Sequence, residues 1–386
     1  MALIGAVLLG HLGVWRNTVV DRDAEDFGVF LTSARHDLAG RSLYAPARLG
    51  GATGRYATVP LNLNLPHTML LMWPLAHLID SAALAVWMAV GLLLGVWASV
   101  ASVRALGWRF HVLPALLLAL YLLAWGPSAA FTMTAQISFY IMAPVCLAWL
   151  AYRRGQSTRA GLWLGAAAAM KPFLLVFAAY FLVRRDRRAL VAMLGVMAAC
   201  IAVGVAAFGA AAYGEWLGQL PRITWSAHYL NASFVGVLQR VIGRSNYAVI
   251  TRAPDLVLPL AACLALVVGA VTLTRVAQPR PEPERSDGDW AALLLAALLM
   301  SPLGWSYYLW IAVWPVAALL ARHAPWRQPT MHDLWLLPGL GGWLWWGKMT
   351  EWGQPHVLAT LTAASLYFWA LLALWIWTTG ALRRAS

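Results

Sequence analysis

Long apolar runs alternate along this chain with short polar segments that are rich in arginine. The runs 82–103, 112–125, 256–273 and 357–377 are long enough, or nearly so, to cross a bilayer as helices. They lack the alternation of barrel strands, and only helices and closed barrels satisfy their backbone hydrogen bonds in lipid. The pattern therefore predicts an all-α polytopic membrane protein. The N-terminal run 2–15 lacks the basic start and cleavage site of a signal peptide, so it is predicted as the first membrane helix.

Arginine clusters between the runs indicate the topology. Cytoplasmic loops of membrane proteins collect Lys and Arg, so we place the clusters inside. This leaves outside a first loop of about residues 17–66 and a second of about 213–254, and it puts a linker of about 275–289 in the cytoplasm. The first loop holds several arginines of its own, which oppose this placement, but the parity of the later clusters requires it.

Two apolar runs have arginine-rich flanks at both ends. If both flanks lie on the cytoplasmic side, each run must enter the membrane and turn back within it. Residues 160–183 contain Lys171-Pro172 at their centre, and residues 290–320 contain Ser301-Pro302. Proline breaks a helix and disfavours helical geometry in the preceding residue, so each run is predicted to form a helical hairpin. Together the runs give about twelve helical membrane segments in one domain, residues 1–386.

The net charge of +13 is unusual for a chain of mean hydropathy +0.67. In a soluble protein it would suggest a nucleic-acid partner, but in a membrane protein the positive-inside bias explains it better, and no nucleic acid is expected. The three cysteines lie in apolar runs without metal-ligand spacing, so they are expected to pack as small apolar residues.

The first outer loop is predicted to contain two interfacial helices, at residues 23–40 and 66–78. The first of them is amphipathic at helical spacing. Its apolar stripe is Phe27, Phe30, Leu31, Ala34 and Leu38, and its other face holds Asp26, Val29, Ser33 and Asp37.

Asp26 is the candidate catalytic base, because a carboxylate at the lipid–water boundary can accept a proton from an attacking hydroxyl. Helix capping by the acids around it is an equally good explanation from spacing alone. The triplet Asp21-Arg22-Asp23 has the DxD pattern of metal-dependent nucleotide-sugar enzymes, but no further acid or histidine cluster supports a metal, so none is expected.

Lys171 is the candidate phosphate ligand, because an ionisable group deep in an apolar hairpin is costly without a function. The alternative is a lysine that snorkels to water. The second outer loop could supply hydrogen bonds to sugar hydroxyls and charge for a phosphate, or it could be an ordinary solvated loop. Its polar residues are Arg222, His228, Asn231, Ser233, Gln239 and Arg240.

Three aromatic residues follow the break of the second hairpin. Trp305, Tyr307 and Tyr308 fit a wall on which a sugar stacks. They fit the aromatic belt of a membrane interface equally well, and the chain's 23 tryptophans favour the belt.

Several short motifs, in order, resemble glycosyltransferase family 87. They run to about residue 315 and are Asp26-Phe27, Gly40 to Tyr44, Asn62 to His67 with Asn64, Trp73 to Leu75, Ala135-Gln136 in place of a Gly-Gln pair, Gly161, Gly165 and Lys171-Pro172, Asn231 to Ser233 with Arg240, and Ser301-Pro302 with Trp305. The resemblance implies a GT-C membrane fold. It also implies substrate-binding roles for the polar and aromatic motif residues Tyr44, Asn64, His67, Gln136, His228, Asn231, Trp305, Tyr307 and Tyr308.

The resemblance also implies the activity: transfer of a hexose, often mannose, from a polyprenyl-phosphate donor to a lipid or glycan acceptor, without metal or cofactor. The reaction would take place at the outer face of the cytoplasmic membrane. Asp26 would be the base of an inverting displacement, with Lys171 and Arg240 at the donor phosphate. Where mannosyltransferases of the family that act on phosphatidylinositol mannosides carry histidines, this chain has Tyr307 and Tyr308, which leaves the sugar open.

Two other functions fit the same residues. A flippase or transporter of lipid-linked sugars would also need a buried lysine and basic helices, but it predicts repeats in matching halves. A polymerase or ligase of the O-antigen type would share the lipid-linked donor, but through a diphosphate.

Overall fold

The computed structural model describes residues 25–46, 61–108, 126–279, 284–323 and 356–384. Within these ranges the chain forms α-helices and short 3-10 helices and no β-strand. The α-helices are α1 (Glu25–Leu38), α2 (Trp73–Ala76), α3 (Asp80–Ala105), α4 (Gly126–Thr134), α5 (Ser138–Arg153), α6 (Ser157–Met170), α7 (Val176–Val183), α8 (Arg187–Phe208), α9 (Ala211–Gln219), α10 (Phe234–Val241), α11 (Pro254–Val276), α12 (Glu284–Met300), α13 (Val313–His323), α14 (Val357–Leu361) and α15 (Leu366–Arg384). The 3-10 helices are Pro66–Leu71, Pro172–Leu175, Leu220–Arg222, Ser306–Ile311 and Ala363–Ser365.

Four helical segments of the described residues are long and apolar enough to cross a membrane: α3, α8, α11 and Val357–Leu382. Three of them contain the predicted runs 82–103, 256–273 and 357–377. The all-helical, multi-pass character is therefore confirmed. The predicted runs 2–15 and 112–125 lie outside the described residues, and the total of about twelve segments and the GT-C fold stay predictions.

Both predicted hairpins are broken where the prolines predicted the break. Helix α6 ends at Met170, Lys171 is extended (φ −141°, ψ 103°), and Pro172 begins a 3-10 helix. Helix α12 ends at Met300, just before Ser301-Pro302. Two residues later, a Cβ on Gly304 would lie 2.1 Å from the carbonyl oxygen of Leu298, so this turn requires glycine.

Close packing between α6 and α8 fixes the position of the first break. A Cβ on Gly161 would lie 2.2 Å from the Ala189 carbonyl oxygen, and one on Gly165 would lie 2.6 Å from that of Met193. Small residues four apart allow two membrane helices to approach closely. Helix α5, which is buried along almost its whole length, packs against α6, α3 and α12 and forms the centre of the bundle.

The loop predicted to lie outside contains both predicted helices, with the first ending at Leu38 and the second divided into Pro66–Leu71 and Trp73–Ala76. Helix α1 ends before Gly40, whose φ of +67° and N–H bond to Asp37 O form a helix cap. The predicted apolar stripe is buried except for Leu38, which is 47% exposed, while Val29 and Ser33 are buried on the face predicted to be polar. The reason is that α1 packs against α2, α4 and the 3-10 helix Pro66–Leu71, and so buries more than one face.

The cytoplasmic linker predicted for 275–289 is shorter in the structure, because α11 extends to Val276 and α12 begins at Glu284. Two acids that composition assigned to the linker are fully buried in α12. Asp287 pairs with Arg153 and Arg322, each with an N–O distance of 3.0 Å. Asp289 accepts a hydrogen bond of 3.1 Å from the Tyr180 hydroxyl. These buried partners hold the acids inside the helix bundle.

Candidate active site

Asp26 lies in the first turn of α1 with its carboxylate partly exposed. The Gln136 amide donates a hydrogen bond from Nε2 to Asp26 Oδ2. Gln136 is buried in the turn between α4 and α5, where its side-chain oxygen also accepts from the Ile137 N–H at 3.3 Å. The carboxylate is thus oriented by an amide that comes from a segment 110 residues away in the chain.

The backbone at Ala135 directs Gln136 towards Asp26. Ala135 has a φ of +49°, a left-handed conformation that is costly for a residue with a Cβ. The Trp87 indole donates a hydrogen bond of 2.8 Å to its carbonyl oxygen and holds the turn. This is the position at which the resembling motif has glycine.

Replacing Ala135 with valine is expected to lower the free energy of unfolding by about 2 kcal/mol, since a β-branched residue is strained at positive φ and this site is fully buried. Ala135→Gly is the control, and it should not be less stable than the parent, because relief of the strain offsets the added chain entropy. Denaturation in mixed detergent micelles measures both. A valine variant as stable as the glycine variant would contradict the left-handed geometry.

Lys171 is held at the break of the first hairpin by two groups. Its Nζ donates a hydrogen bond of 2.9 Å to Asn64 Oδ1, and it lies 5.7 Å from the centre of the Tyr308 ring. The ammonium group is therefore bound by an uncharged amide and an aromatic ring, and neither of these two groups neutralises its charge.

A network of hydrogen bonds holds Asn64 in place. The Asn62 side-chain oxygen accepts from the Asn64 N–H at 3.0 Å, and the Tyr44 hydroxyl donates to the Asn64 carbonyl at 2.7 Å. Asn62 in turn donates to Ser33 Oγ of α1 at 3.0 Å. Burial raises the pKa of Tyr44, so its phenol remains a neutral donor. Tyr44 supports the residue that holds Lys171, and its predicted role as a substrate ligand stays a prediction.

His67 has both ring nitrogens occupied. Nε2 lies 2.8 Å from the Ala169 carbonyl, which can only accept, so Nδ1 of the neutral ring accepts from the Tyr213 hydroxyl at 3.0 Å. Burial lowers the pKa of His67, which favours this neutral state. His67 therefore joins the start of the 3-10 helix Pro66–Leu71 to the end of α6, two residues before Lys171, and its predicted role in substrate binding stays a prediction.

The second outer loop and the break of the second hairpin form one unit. Asn231 and Trp305 form an isolated antiparallel bridge, with the Ser306 N–H donating to Leu230 O at 2.8 Å. The buried side chain of Asn231 donates to the carbonyls of Ser226 (2.9 Å) and Pro302 (3.1 Å). Two motifs that lie about 70 residues apart in the chain thus meet in space.

Arg240 is fully buried beneath this unit. Its Nη1 donates to the carbonyls of His228 (2.9 Å) and Asn231 (3.1 Å), and its Nε donates to Ser365 Oγ at 3.0 Å. Sequence reasoning missed Ser365, which carries no motif and lies 125 residues away. These bonds give Arg240 a structural task, and its predicted role at a phosphate stays a prediction.

The rings of His228 and three aromatic residues form a continuous row of contacts. The His228 ring lies 6.0 Å from that of Trp305, which stacks at 6.0 Å on Tyr307. Tyr307 meets Tyr308 edge-on at 4.7 Å, and both tyrosines are buried. Burial and the nearby charge of Arg240 lower the pKa of His228 to about 4, so its imidazole is neutral at physiological pH. A neutral ring can exchange hydrogen bonds with a sugar but adds no charge.

Electrostatic interactions join these parts into one site. Asp26 interacts with Lys171 and with the hydroxyls of Tyr307 and Tyr308. One carboxylate, one ammonium group and two neighbouring phenols, from three segments of the chain, are thus close enough to interact electrostatically. Gln136 and Asn64 complete this set, which we call the acid–lysine site. No cluster of three or more potential metal ligands occurs among the described residues, and Asp21 and Asp23 lie outside them.

Comparison with known proteins gives one match: the family model of glycosyltransferase family 87 covers residues 63–302, more than half of the chain. It includes Asn64, Gln136 and Lys171, but ends before the tyrosine pair and starts after Asp26. No curated protein and no solved structure matches the chain.

Proposed function

Because the chain belongs to glycosyltransferase family 87 and is therefore a membrane glycosyltransferase, we propose that it uses a polyprenyl-phosphate sugar as donor, with Asp26 as the catalytic base. The observation that supports this most is the electrostatic interaction between the partly exposed carboxylate of Asp26 and the ammonium group of Lys171 in the acid–lysine site. A base for the incoming hydroxyl and a cation for the departing phosphate are the two charges that the reaction requires.

The proposed reaction is a single displacement at the anomeric carbon. The acceptor O–H bond breaks as its proton moves to Asp26, and the acceptor oxygen forms a bond to the anomeric carbon. The bond between that carbon and the phosphate oxygen breaks, and its electron pair stays on the phosphate. The configuration at the anomeric carbon is inverted. Gln136 aims the carboxylate by its hydrogen bond from Nε2.

Charge develops mainly on the leaving group, because a phosphodiester monoanion becomes a phosphomonoester dianion. Lys171 is the cation of the acid–lysine site, and Asn64 and the Tyr308 ring hold it without neutralising it. A fixed cation beside the phosphate stabilises the negative charge that develops on it in the transition state. It therefore lowers the activation barrier of transfer more than it strengthens the binding of the donor in the ground state. The hydroxyls of Tyr307 and Tyr308 are hydrogen-bonded to each other, so the pair is suited to donate one further hydrogen bond to a phosphate oxygen.

The proposed donor enters from the bilayer, and the acceptor is a lipid or glycan at the extracytoplasmic face of the cytoplasmic membrane. This sidedness rests on the arginine pattern, because the flanks of the Lys171 hairpin hold Arg153, Arg154 and Arg159 before it and Arg184 and Arg185 after it. A hexose such as mannose fits the proposal. The aromatic row from Trp305 to Tyr308 offers the sugar a stacking surface.

The donor class can be tested by supplying three forms of the same sugar to the purified enzyme in liposomes. They are a polyprenyl monophosphate, a polyprenyl diphosphate and a nucleotide diphosphate, each with a radiolabelled sugar and a lipid extract as acceptor source. We expect label to enter product from the monophosphate at least about 100-fold faster than from the others. Transfer from the diphosphate lipid would indicate a polymerase or ligase. Movement of label across the membrane without covalent transfer would indicate a flippase.

A further inference from the structure

A basic cleft lies at the end of the helix bundle opposite to the acid–lysine site. It has a volume of about 480 Å³ and lies between the C-terminal ends of α3 and α5 and the start of α6. Lys171 and Arg159 are twelve residues apart on α6, which is about 18 Å along a helix. The cleft is therefore separate from the proposed catalytic groups.

Three arginines line this cleft: Arg104 from the last turn of α3, Arg154 after α5, and Arg159 from the first turn of α6. None of their guanidinium groups forms an ion pair with a carboxylate in the part of the chain that the structure describes. The only polar side-chain contact that any of them makes there is a 3.3 Å hydrogen bond from Arg159 to Gln156. Three cations around one cavity, with no carboxylate paired to them among the described residues, are complementary to an anion with several oxygen atoms.

Apart from Gln156, the remaining wall of the cleft is apolar. Ala101, Ala105, Leu147, Leu150 and Ala151 form it, and Trp163 stands at its edge with 45% of its surface exposed. Trp163 lies four residues after Arg159, so the two side chains share one face of α6. Such a pair is typical of the membrane interface, where the indole lies at the depth of the head groups and the arginine reaches water.

The apolar wall continues along the outside of α3. Val100, Trp97 and Leu93 lie four, seven and eleven residues before Arg104 on the same helical face, with 41%, 48% and 69% of their surfaces exposed. In a helix long and apolar enough to cross a membrane, this face meets lipid chains. The cleft thus joins a cationic rim to a surface that acyl chains cover.

From this combination we propose that the cleft binds the phosphate head group of an anionic phospholipid, whose acyl chains run along α3 and α6. A free phosphate ion would gain favourable binding free energy from the arginines alone. A phospholipid gains it from the arginines, through its head group, and from the apolar wall, through its acyl chains. Basic pockets between membrane helices on the cytoplasmic side bind anionic head groups in this way. The arginine pattern places this end of the bundle in the cytoplasm.

The test compares two triple variants by native mass spectrometry, with the intact protein equilibrated with phosphatidylglycerol, cardiolipin or phosphatidylcholine. The first variant is R104Q/R154Q/R159Q. The matched control is R185Q/R187Q/R188Q, which removes the same charge from exposed arginines at the start of α8 and leaves the cleft intact. We expect the parent protein and the control to retain anionic lipid at least about tenfold better than phosphatidylcholine, and the cleft variant to lose this preference.

Three results would overturn the proposal. They are a parent protein without preference for anionic lipid, an equal loss in the control, and displacement of the lipid by millimolar inorganic phosphate. If the triple variant fails to fold, R104Q/R159Q takes its place, and retention of lipid by that variant at the parental level counts against the cleft. Lipid retention does not depend on sugar transfer, so this outcome is independent of the proposed activity.

Discussion

Replacing Asp26 with asparagine is expected to lower the turnover of glycosyl transfer by about 10³-fold, within the range that a lost general base costs. Asparagine keeps the size of the side chain, and its carbonyl oxygen can still accept the hydrogen bond from Gln136. The substitution therefore removes the proton acceptor and leaves the site assembled. The measurement is steady-state turnover of the purified enzyme with the polyprenyl-phosphate sugar and its acceptor.

The matched control is Asp37→Asn at the other end of α1, where the Trp73 indole donates a 3.1 Å hydrogen bond to the carboxylate. Burial raises the pKa of Asp37, yet this residue lies nearly three helical turns from Asp26 and is given no role in the reaction. We expect its turnover to stay within about threefold of the parent. If Asp26→Asn retains activity within tenfold, a loss of only about 1.4 kcal/mol, Asp26 is a helix cap and not the base.

Replacing Lys171 with methionine is expected to lower turnover by about 10²-fold to 10³-fold, with a smaller change in KM. Methionine keeps an unbranched, flexible side chain that is one atom shorter, while it removes the charged Nζ that lies over the Tyr308 ring. The effect falls on turnover because the phosphate gains its second negative charge only as the sugar departs. Single-turnover rates at saturating donor measure this step directly.

Lys171→Arg provides the charge-keeping comparison and should retain more activity than Lys171→Met. Asn64→Ala removes the acceptor of the 2.9 Å hydrogen bond and should give an intermediate loss, because the ammonium group remains but is less well placed. A methionine variant that turns over like the parent would mean that Lys171 only snorkels to water.

The secondary structure near the site follows from local patterns. The breaks at Lys171-Pro172 and Ser301-Pro302 were predicted from proline alone, and the structure confirms both. Amphipathic spacing predicted α1 as a helix, although not that Val29 and Ser33 are buried. That burial depends on what packs against the helix, and no property of the segment 23–40 encodes its neighbours.

The roles of single polar residues were harder to predict. The type of a residue indicates that its polar side chain needs a hydrogen-bond partner, but it does not indicate which residue or ligand that partner is. The sequence did not indicate that His67 contacts the end of α6 or that Tyr44 contacts Asn64, and the predicted substrate contacts of both residues stay predictions. The hydrogen bond between Arg240 and Ser365 joins residues 125 positions apart. The sequence around either residue does not indicate this contact.

By itself the sequence determined that this chain is a helical, multi-pass membrane protein, since apolar length and proline position act within a single segment. It also carries ordered motifs that resemble glycosyltransferase family 87, whose family model matches residues 63–302. Only the tertiary structure decided that Gln136 meets Asp26 and that Asn64 meets Lys171, across 110 and 107 residues. The physical reason is that hydrogen bonds and charge interactions depend on distance in space, which the packing of α5 and α6 fixes and local sequence does not.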